Sequence, residues 1–475
     1  MKYETDSRKV QPGQIFVAIK GHTVDGHDYI TNAVDNGAIR VIAEKEVTAG
    51  VPVEVVPSTE EYLKRHLKED YAEEINKLQI IGITGTNGKT TSAYLTYQLL
   101  NLLGIDTAYL GTIGYKYHNK SVELDNTTPD ILTIYKILLE LAKAKCHTLV
   151  MEVSSHALSY ERIYGIKLKI AAFTNLTEDH LDYHKTMENY LKEKLKIIDY
   201  LSSDGTLIVN GDDEASKKFI KKNNNEGITL GFNEKFNYKI VDANIAPDHT
   251  DIKFIYEKEE YNVTTHLTSK FNVYNYMTAL AIIHALNISI EDIIEKTSEI
   301  KPPKGRCEVH KVNGGYAVID YAHTPDAVEK VISAYNELKT GKVITIVGCG
   351  GDRDPIKRPI MGDIATKLSD YVILTSDNPR TEDPEKIMDD ILKGVKNKNY
   401  EVELDRHKAI KKGIELLEAE DILLILGKGH EDYQILGRDK VHFDDAEEVE
   451  NWRLEHEKNW WSEKVNSSFK NWKNL

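Results

Sequence analysis

Residues 82–91 read GITGTNGKTT. An apolar run from Leu78, LQIIGIT, leads into them, and TSAYLTYQLLNLLG, closed by Gly104, leaves them with helical character. Strand, glycine loop and helix in that order form a phosphate-binding loop. Backbone N–H groups of Gly85, Thr86, Asn87 and Gly88 would cradle phosphate oxygens at a helix N-terminus. Lys89 would add a cation, and Thr90 a hydroxyl able to ligate Mg²⁺. The loop is shorter than the usual G-x-x-x-x-G-K-[ST]: the position five before Gly88 is Ile83, and the nearest upstream loop glycine is Gly85. The bland alternative is a strand-to-helix turn with an exposed lysine, and it does not account for the ordered Lys-Thr-Thr. No N-K-x-D element follows, which argues against a guanine-specific switch.

Working outward, HTLVMEVSS (147–155) and KLKIAAFTNLT (167–177) are apolar runs short enough to be buried parallel strands. Strand, loop and helix repeat, so a doubly wound α/β sheet is expected. In such a sheet both strand ends open on the crevice that holds the phosphate loop, making Glu152 and His180 candidate metal ligands. A carboxylate after HTLVM would be poorly solvated without a partner. For His180, which stands among Asp179, Asp182 and His184, a solvated polar loop competes.

The N-terminal residues alternate short apolar runs with turns. QIFVAIKG (14–21) and IRVIAE (39–44) read as strands, YITNAVDNG (29–37) as a helix closed by Gly37, and STEEYLKRHLKEDYAEEINK (58–77) as one long helix. KPPKGR (301–306) reads as a linker. Beyond it come strands YAVID, KVITIVG, YVILTS and DILLILG, each followed by a loop rich in Gly, Asp or Pro. The fold class expected is α/β with three domains: a small αβ domain over 1–78, a central P-loop-type doubly wound domain over 79–300, and a Rossmann-like α/β domain over 301–475. A length of 475 residues suits three cores.

A net charge of −15, from 61 basic and 76 acidic residues, argues against a nucleic-acid binder or a membrane-surface protein. Cys146, Cys307 and Cys349 are far apart and match no metal spacing, as in a reduced cytoplasmic protein. No secretory h-region opens the chain, and no apolar run approaches the ~20 residues of a membrane span. All four tryptophans (Trp452, Trp460, Trp461, Trp472) lie at the C-terminal end, in a packed terminal helix or an accessory contact.

The stretches GTNGKTT, MEVSSHAL, TNLTEDHLDYH, GRCE, DYAHTPDA, GCGGDRDPIKRP, SDNPRTEDP and GKGHEDYQ, in that order, resemble the successive motifs of the Mur ligases, ATP-dependent amide-forming enzymes of peptidoglycan synthesis. The short loop is shared by that family and the folylpolyglutamate synthetases. Within the family the resemblance is to the type that adds meso-2,6-diaminopimelate to UDP-N-acetylmuramoyl-L-alanyl-D-glutamate, and it runs from Asp6 to about Asp445. It implies a cytoplasmic ligase using ATP and Mg²⁺ and acting through an acyl phosphate, expected to be a monomer.

The resemblance also implies residue roles. Lys89, with Gly85–Thr91, would hold the ATP phosphates; Thr90, Glu152 and His180 would hold Mg²⁺. Lys194, four residues after Tyr190, would be carbamylated and join the catalytic and metal-binding set. From the residues alone Lys192, Lys194 and Lys196 read equally as a solvated helix face. Asn275, Arg306 and Asp320 would surround adenine and ribose; His323 reads as well as a loop residue. Residues 1–78 would bind UDP through Ser7, His22, Thr23 and Val24, although only five residues precede Asp6, so the first strand is reduced or the start truncated. Asn126, Thr127, Thr128, Ser154 and Arg162 would contact the muramoyl dipeptide. Tyr160 departs from relatives that carry glutamine there.

Three loops of the last domain follow parallel strands and should meet beyond their C-terminal ends, bringing together Arg353, Asp377 with Arg380, and Glu431. Arginines for carboxylates and acids for an ammonium suit diaminopimelate, which has both groups at each end. By resemblance Asn378, Pro379 and Gly427 join this site, and the DNPR arginine separates the diaminopimelate-adding type from the lysine-adding one. The rivals are a lysine-adding Mur ligase, a folylpolyglutamate synthetase-like ligase, a metal-dependent phosphohydrolase and a non-enzymatic nucleotide-binding scaffold.

Overall fold

The computed structural model describes residues 1–21 and 24–456. His22, Thr23, Trp460, Trp461 and Trp472 lie outside the described residues. The chain forms two compact units. One comprises Met1–Lys239 with Tyr274–Lys296; the other comprises Ile240–Val273 with the residues from Thr297 onward.

The first unit opens with a four-stranded parallel sheet of Tyr3–Glu4, Ile15–Val17, Arg40–Ala43 and Val53–Val55. The strands are shorter than their apolar runs because the chain turns away after Val17 and Ala43. The long charged stretch is one helix, Thr59–Ile75, capped by Ser58, whose Oγ accepts from Glu61 N at 3.2 Å. It buries Tyr62, Leu63, Leu67, Tyr71 and Ile75, the i, i+4 stripe of an amphipathic helix.

The main sheet of this unit runs in the order Ile228–Gly231, Leu201–Asn210, Leu168–Phe173, Gln79–Thr84, Thr148–Glu152, Thr107–Gly111, Gly114–Tyr117 and Lys120–Val122. The first six are parallel and the last two antiparallel. Gln79–Thr84 lies in the middle, flanked by the strands that end at Phe173 and Glu152, so the glycine loop opens at the switch point of a doubly wound sheet. The strands are apolar along their length because both faces are covered; Ile80, Ile81, Ile83, Leu149, Val150, Ile170 and Phe173 are all buried.

The second unit carries a six-stranded sheet in the order Glu308–Val312, Gly315–Asp320, Ile422–Leu426, Val343–Val347, Tyr371–Leu374 and Tyr400–Val402, parallel except for the first pair. Alternate residues serve two cores: Val318, Leu424 and Leu426 on one face, Ile319, Leu423 and Ile425 on the other. Helices Pro325–Leu338 and Pro384–Leu392 start at Thr324 and Asp383 caps with proline in the first turn. A hairpin, Tyr433–Leu436 with Asp439–His442, follows the last sheet strand.

The KPPKGR stretch is packed rather than a free linker. Pro303 and Gly305 are buried, Gly305 N donates to Glu308 Oε2 at 2.8 Å, and Lys304 pairs with the buried Asp444. Trp452, on a helical segment over 445–456, packs on the second core and stacks on His456 at 3.7 Å. No helix among the described residues is long and apolar enough to cross a membrane.

Candidate active site

Gly88 caps the helix Lys89–Leu102 with φ +82, a left-handed conformation that favours glycine. A Cβ there would lie 2.2 Å from Asn275 Oδ1, so Asn275 is brought against the loop from a distant helix. Lys89 Nζ donates to Gly85 O at 2.9 Å and Thr86 O at 2.8 Å. The loop is further fixed from the neighbouring strand end: Asn87 N donates to Asn175 Oδ1 at 3.0 Å, and Asn87 Nδ2 to Thr177 Oγ1 at 3.1 Å.

Lys194 is buried, and its Nζ donates to the same Gly85 carbonyl at 2.7 Å. Burial, and then the charge of Lys89, push its pKa well below the ordinary lysine value. Of Lys192, Lys194 and Lys196 it is the buried one, so the solvated-face reading does not describe it. Tyr190 lies beneath it, with Nζ 4.4 Å from the ring centroid, and brings its Oη to 3.3 Å from Thr86 Oγ1.

Glu152 has no exposed surface. Its Oε2 accepts from Thr90 Oγ1 at 2.9 Å and Thr112 Oγ1 at 3.1 Å; its Oε1 accepts from Tyr109 Oη at 2.5 Å and Thr112 N at 2.8 Å. Thr90 and Glu152 are thus brought together as expected. His180 is not bonded to either. It is half-exposed, pairs with Asp179 at 3.4 Å, and packs its ring 5.0 Å from His156 and 6.2 Å from Tyr190. Burial lowers the pKa of His156 and of His184, whose Nε2 lies 2.9 Å from Ser155 Oγ. Among the described residues no three His, Cys, Asp or Glu side chains converge as a metal cage.

Four of the expected dipeptide residues, Thr127, Thr128, Ser154 and Arg162, form one network around Glu152. Thr127 Oγ1 lies 3.0 Å from Thr112 Oγ1, Thr128 Oγ1 donates to Glu152 O at 2.8 Å, and Arg162 Nη1 donates to Thr128 O at 2.7 Å. Ser154 caps the helix Ser155–Ser159 by accepting from Ala157 N at 3.1 Å. Asn126 is exposed nearby in sequence. In the N-terminal sheet region Ser7 is buried and Val24 exposed.

In the second unit Asp320 is buried and accepts backbone N–H groups from Cys307 and Ala322, each at 2.9 Å; burial raises its pKa against the opposing charge of Arg306. Arg306 stacks over Tyr321 at 4.7 Å, and Tyr321 faces His430 at 5.0 Å and His323 at 4.5 Å. The GR and GKGH loops touch backbone to backbone. A Cβ on Gly305 would lie 2.0 Å from Gly429 C, and one on Gly429 2.8 Å from Gly305 O, and both residues have positive φ.

The three strand-end loops of this unit interlock. Gly351 N donates to Asn378 O at 2.9 Å, and Arg380 Nη1 to Gly351 O at 2.9 Å and Asn378 O at 3.4 Å. Asn378 Nδ2 donates to Glu431 Oε2 at 2.8 Å, and its Oδ1 accepts from Ile435 N at 3.0 Å. Arg380 has φ +52, rare for a residue with a side chain, and the hairpin clamps it: its N donates to Ile435 O at 3.0 Å and its O accepts from Gly437 N at 2.8 Å. Arg353 is exposed at the rim. Burial, and then Asp377, raise the pKa of Glu431. A Cβ on Gly427 would come 2.6 Å from Asp377 Oδ2, so two acids sit over one loop.

Residues 3–83, 83–283 and 305–429 match, in turn, the Mur ligase family catalytic domain, the Mur ligase middle domain and the Mur ligase glutamate ligase domain. A UDP-N-acetylmuramoyl-L-alanyl-D-glutamate–2,6-diaminopimelate ligase of Fusobacterium nucleatum is 44% identical over 452 residues, 94% of this chain and 92% of that one. The chain belongs to the Mur ligase family. A protein of the same description from Bacillus cereus is 40% identical over 453 residues, with 94% and 92% covered. A solved structure of such a ligase aligns with TM-score 0.70 and 32% identity over 96% of this chain and 95% of that one.

In this Mur ligase the loop and Glu152 are also contacted by residues that sequence reasoning missed. Tyr109 and Thr112 come from the strand Thr107–Gly111 and its corner, and Asn175 and Thr177 from the loop after Phe173. The signal available was topological: parallel strands of one sheet end at one edge.

Proposed function

We propose that this protein is an ATP-dependent ligase that joins meso-2,6-diaminopimelate to UDP-N-acetylmuramoyl-L-alanyl-D-glutamate in the making of peptidoglycan precursors. A carboxylate is a poor electrophile. Transfer of the γ-phosphoryl group of ATP to the substrate carboxylate gives an acyl phosphate and ADP. The amine attacks the acyl carbon, and the tetrahedral intermediate expels phosphate. Lys89, fixed at the helix start, neutralises charge on the moving phosphoryl group. ATP and a UDP-linked substrate place the reaction in the cytoplasm.

Thr90 Oγ1 and Glu152 Oε2 are hard oxygen donors 2.9 Å apart. They suit Mg²⁺, which keeps several waters and needs only one or two protein ligands beside the phosphates. Thr90 and Glu152 would hold the ion, which would supply neutralisation of phosphate charge. His180 and Lys194, on the Thr86 side of the loop, are assigned to a second ion. Burial, and then the charge of Lys89, shift Lys194 toward the neutral amine, the form that takes up CO₂: a bond from Nζ to carbon forms, a proton leaves, and a carboxylate-like group results.

We assign UDP binding to residues 1–78, with Ser7, His22, Thr23 and Val24; phosphoryl transfer to 79–300; and amine binding to 301–475. Asn275, Arg306 and Asp320 are assigned to the adenosine moiety. Among the described residues Arg162 donates only Nη1, to Thr128 O, and its guanidinium lies over the Tyr160 ring, so its remaining hydrogens serve a dipeptide carboxylate, beside Asn126, Thr127, Thr128 and Ser154.

One observation carries the amine assignment. Arg380 spends Nη1 on two loop carbonyls, and among the described residues Nε and Nη2 have no hydrogen-bond partner, Asp352 acting on the guanidinium only through its charge. The carboxylate of Asp377 likewise takes no hydrogen bond from the described residues, although the residue is buried. An unspent guanidinium edge and an unspent acid on interlocked loops fit a group bearing carboxylate and ammonium together. The test is phosphate release from ATP with the UDP-muramoyl dipeptide and diaminopimelate, lysine or no amine. Release only with diaminopimelate is expected. Equal release without amine would mean a hydrolase, and preference for lysine would overturn the assignment of Arg380.

A further inference from the structure

Tyr109 lies on Thr107–Gly111, which pairs in parallel with Thr148–Glu152, Tyr109 standing opposite Val150. Glu152 is two residues further along and therefore on the same face of the sheet, ~7 Å away along the strand. A tyrosine ring with its hydroxyl bridges that distance; an aliphatic strand residue does not. The hydroxyl reaches Glu152 Oε1 at 2.5 Å.

The two oxygens of Glu152 are held differently. Oε1 accepts from a wholly buried phenol and from the main-chain N–H of Thr112, and neither donor can turn away. Among the described residues Oε2 accepts only threonine hydroxyls, from Thr90 and Thr112, which rotate about their C–O bonds. The corner is closed around Oε1: a Cβ on Gly111 would come within 2.1 Å of it and 2.3 Å of Tyr109 Oη. The rings of Tyr94 and Tyr97, at 5.7 and 6.1 Å, fix the phenol from behind.

We infer that Tyr109 is a positioning residue for the ligase: its hydroxyl pins Glu152 Oε1, so that Oε2, beside Thr90, is the oxygen offered to the divalent cation accompanying ATP. This rests on the reading of Thr90 and Glu152 as the cation site. Groups that orient a metal-binding side chain typically influence metal affinity ~10- to 100-fold. Tyr109→Phe keeps the ring and removes the hydroxyl that bonds Glu152 Oε1.

The full chain is titrated with Mn²⁺ in the presence of a non-hydrolysable ATP analogue, free Mn²⁺ being read by electron paramagnetic resonance. The parent, Tyr109→Phe and Glu152→Gln are compared, with circular dichroism melting to check folding. Tyr109→Phe is expected to bind Mn²⁺ about 10-fold more weakly, with metal-free nucleotide affinity and the KM for the amine unmoved, and with ligation restored by raised Mg²⁺. Equal Mn²⁺ affinity in Tyr109→Phe and the parent, while Glu152→Gln loses it, overturns the role of Tyr109 and leaves the cation site standing. Undiminished affinity in Glu152→Gln overturns both. If Tyr109→Phe does not fold, 3-fluorotyrosine placed at position 109 keeps every contact and strengthens the donor. Mn²⁺ affinity at or above the parent is then expected, and a loss overturns the proposal.

Discussion

Arg380→Ala should change which amine the enzyme accepts more than it changes the fold. The left-handed backbone at Arg380 is held by main-chain bonds to Ile435 and Gly437, not by its side chain, so alanine keeps the loop. Of the five guanidinium hydrogens, the two on Nη1 serve Gly351 O and Asn378 O. The Nε/Nη2 edge remains for two parallel bonds to the distal carboxylate of diaminopimelate. Each hydrogen bond to a charged group contributes about 1.5–3 kcal/mol, and water filling the alanine space offsets part of this. A net loss of ~3–4 kcal/mol corresponds to about 10²- to 10³-fold in kcat/KM for diaminopimelate. Lysine has no distal carboxylate, so its kcat/KM should fall less than ~10-fold, through the orphaned Gly351 carbonyl alone. That structural cost acts on both amines and cancels in their ratio. Phosphate release measured with each amine at saturating ATP and dipeptide gives the ratio directly. Equal losses for both amines, or a diaminopimelate loss below ~5-fold, would refute the reasoning.

Lys89→Met removes the cation at the start of the loop helix, and kcat for phosphate release should fall ~10²- to 10³-fold with the fold intact; near-parental turnover would remove Lys89 from the chemistry. Arg406 and Asp445 form an ion pair with both side chains fully buried, Arg406 Nε donating to Asp445 Oδ1 at 2.7 Å and Nη2 to Oδ2 at 2.6 Å. Asp445→Ala strands the guanidinium and should cost ~3–5 kcal/mol in urea unfolding, whereas Arg406→Met with Asp445→Leu should recover most of it; a cost under ~1 kcal/mol would show that water reaches the pair. His430 is pushed down to about 4 by burial and by Arg306 and Lys304. The unfolded chain takes up that proton near ~6.5, so stability is full above that pH and is lost as pH falls toward the folded value, by roughly 2–3 kcal/mol. His430→Phe should flatten this part of the urea-midpoint profile, and an unchanged profile would assign the acid loss elsewhere.

Local features of this enzyme were legible in its sequence. Gly88, Lys89 and Thr90 are contiguous, and their loop can be read from one strand and one helix. The convergence of the loops bearing Asp377 and Glu431 was legible because parallel strands release their loops at a common edge. What depends on register was hidden. Tyr109 reaches Glu152 only because it stands opposite Val150, and TAYLG carries no polar signal of that pairing. KPPKGR has linker composition, yet it packs because Gly305 and Gly429 let two backbones meet. Lys194 is indistinguishable from Lys192 and Lys196 by composition; the helix Met187–Leu195 turns Lys194 toward the loop and Lys192 away from it.

The contact between Gly305 and Gly429 has a consequence for how this seam can drift in sequence. Where a packed position faces side chains, a neighbour can rotate aside to admit a methyl group. Here a Cβ added to Gly305 would meet main chain at 2.0 Å, and one added to Gly429 would meet it at 2.8 Å. Two residues far apart in the chain are thereby bound to one choice, and a substitution at either should separate both loops together.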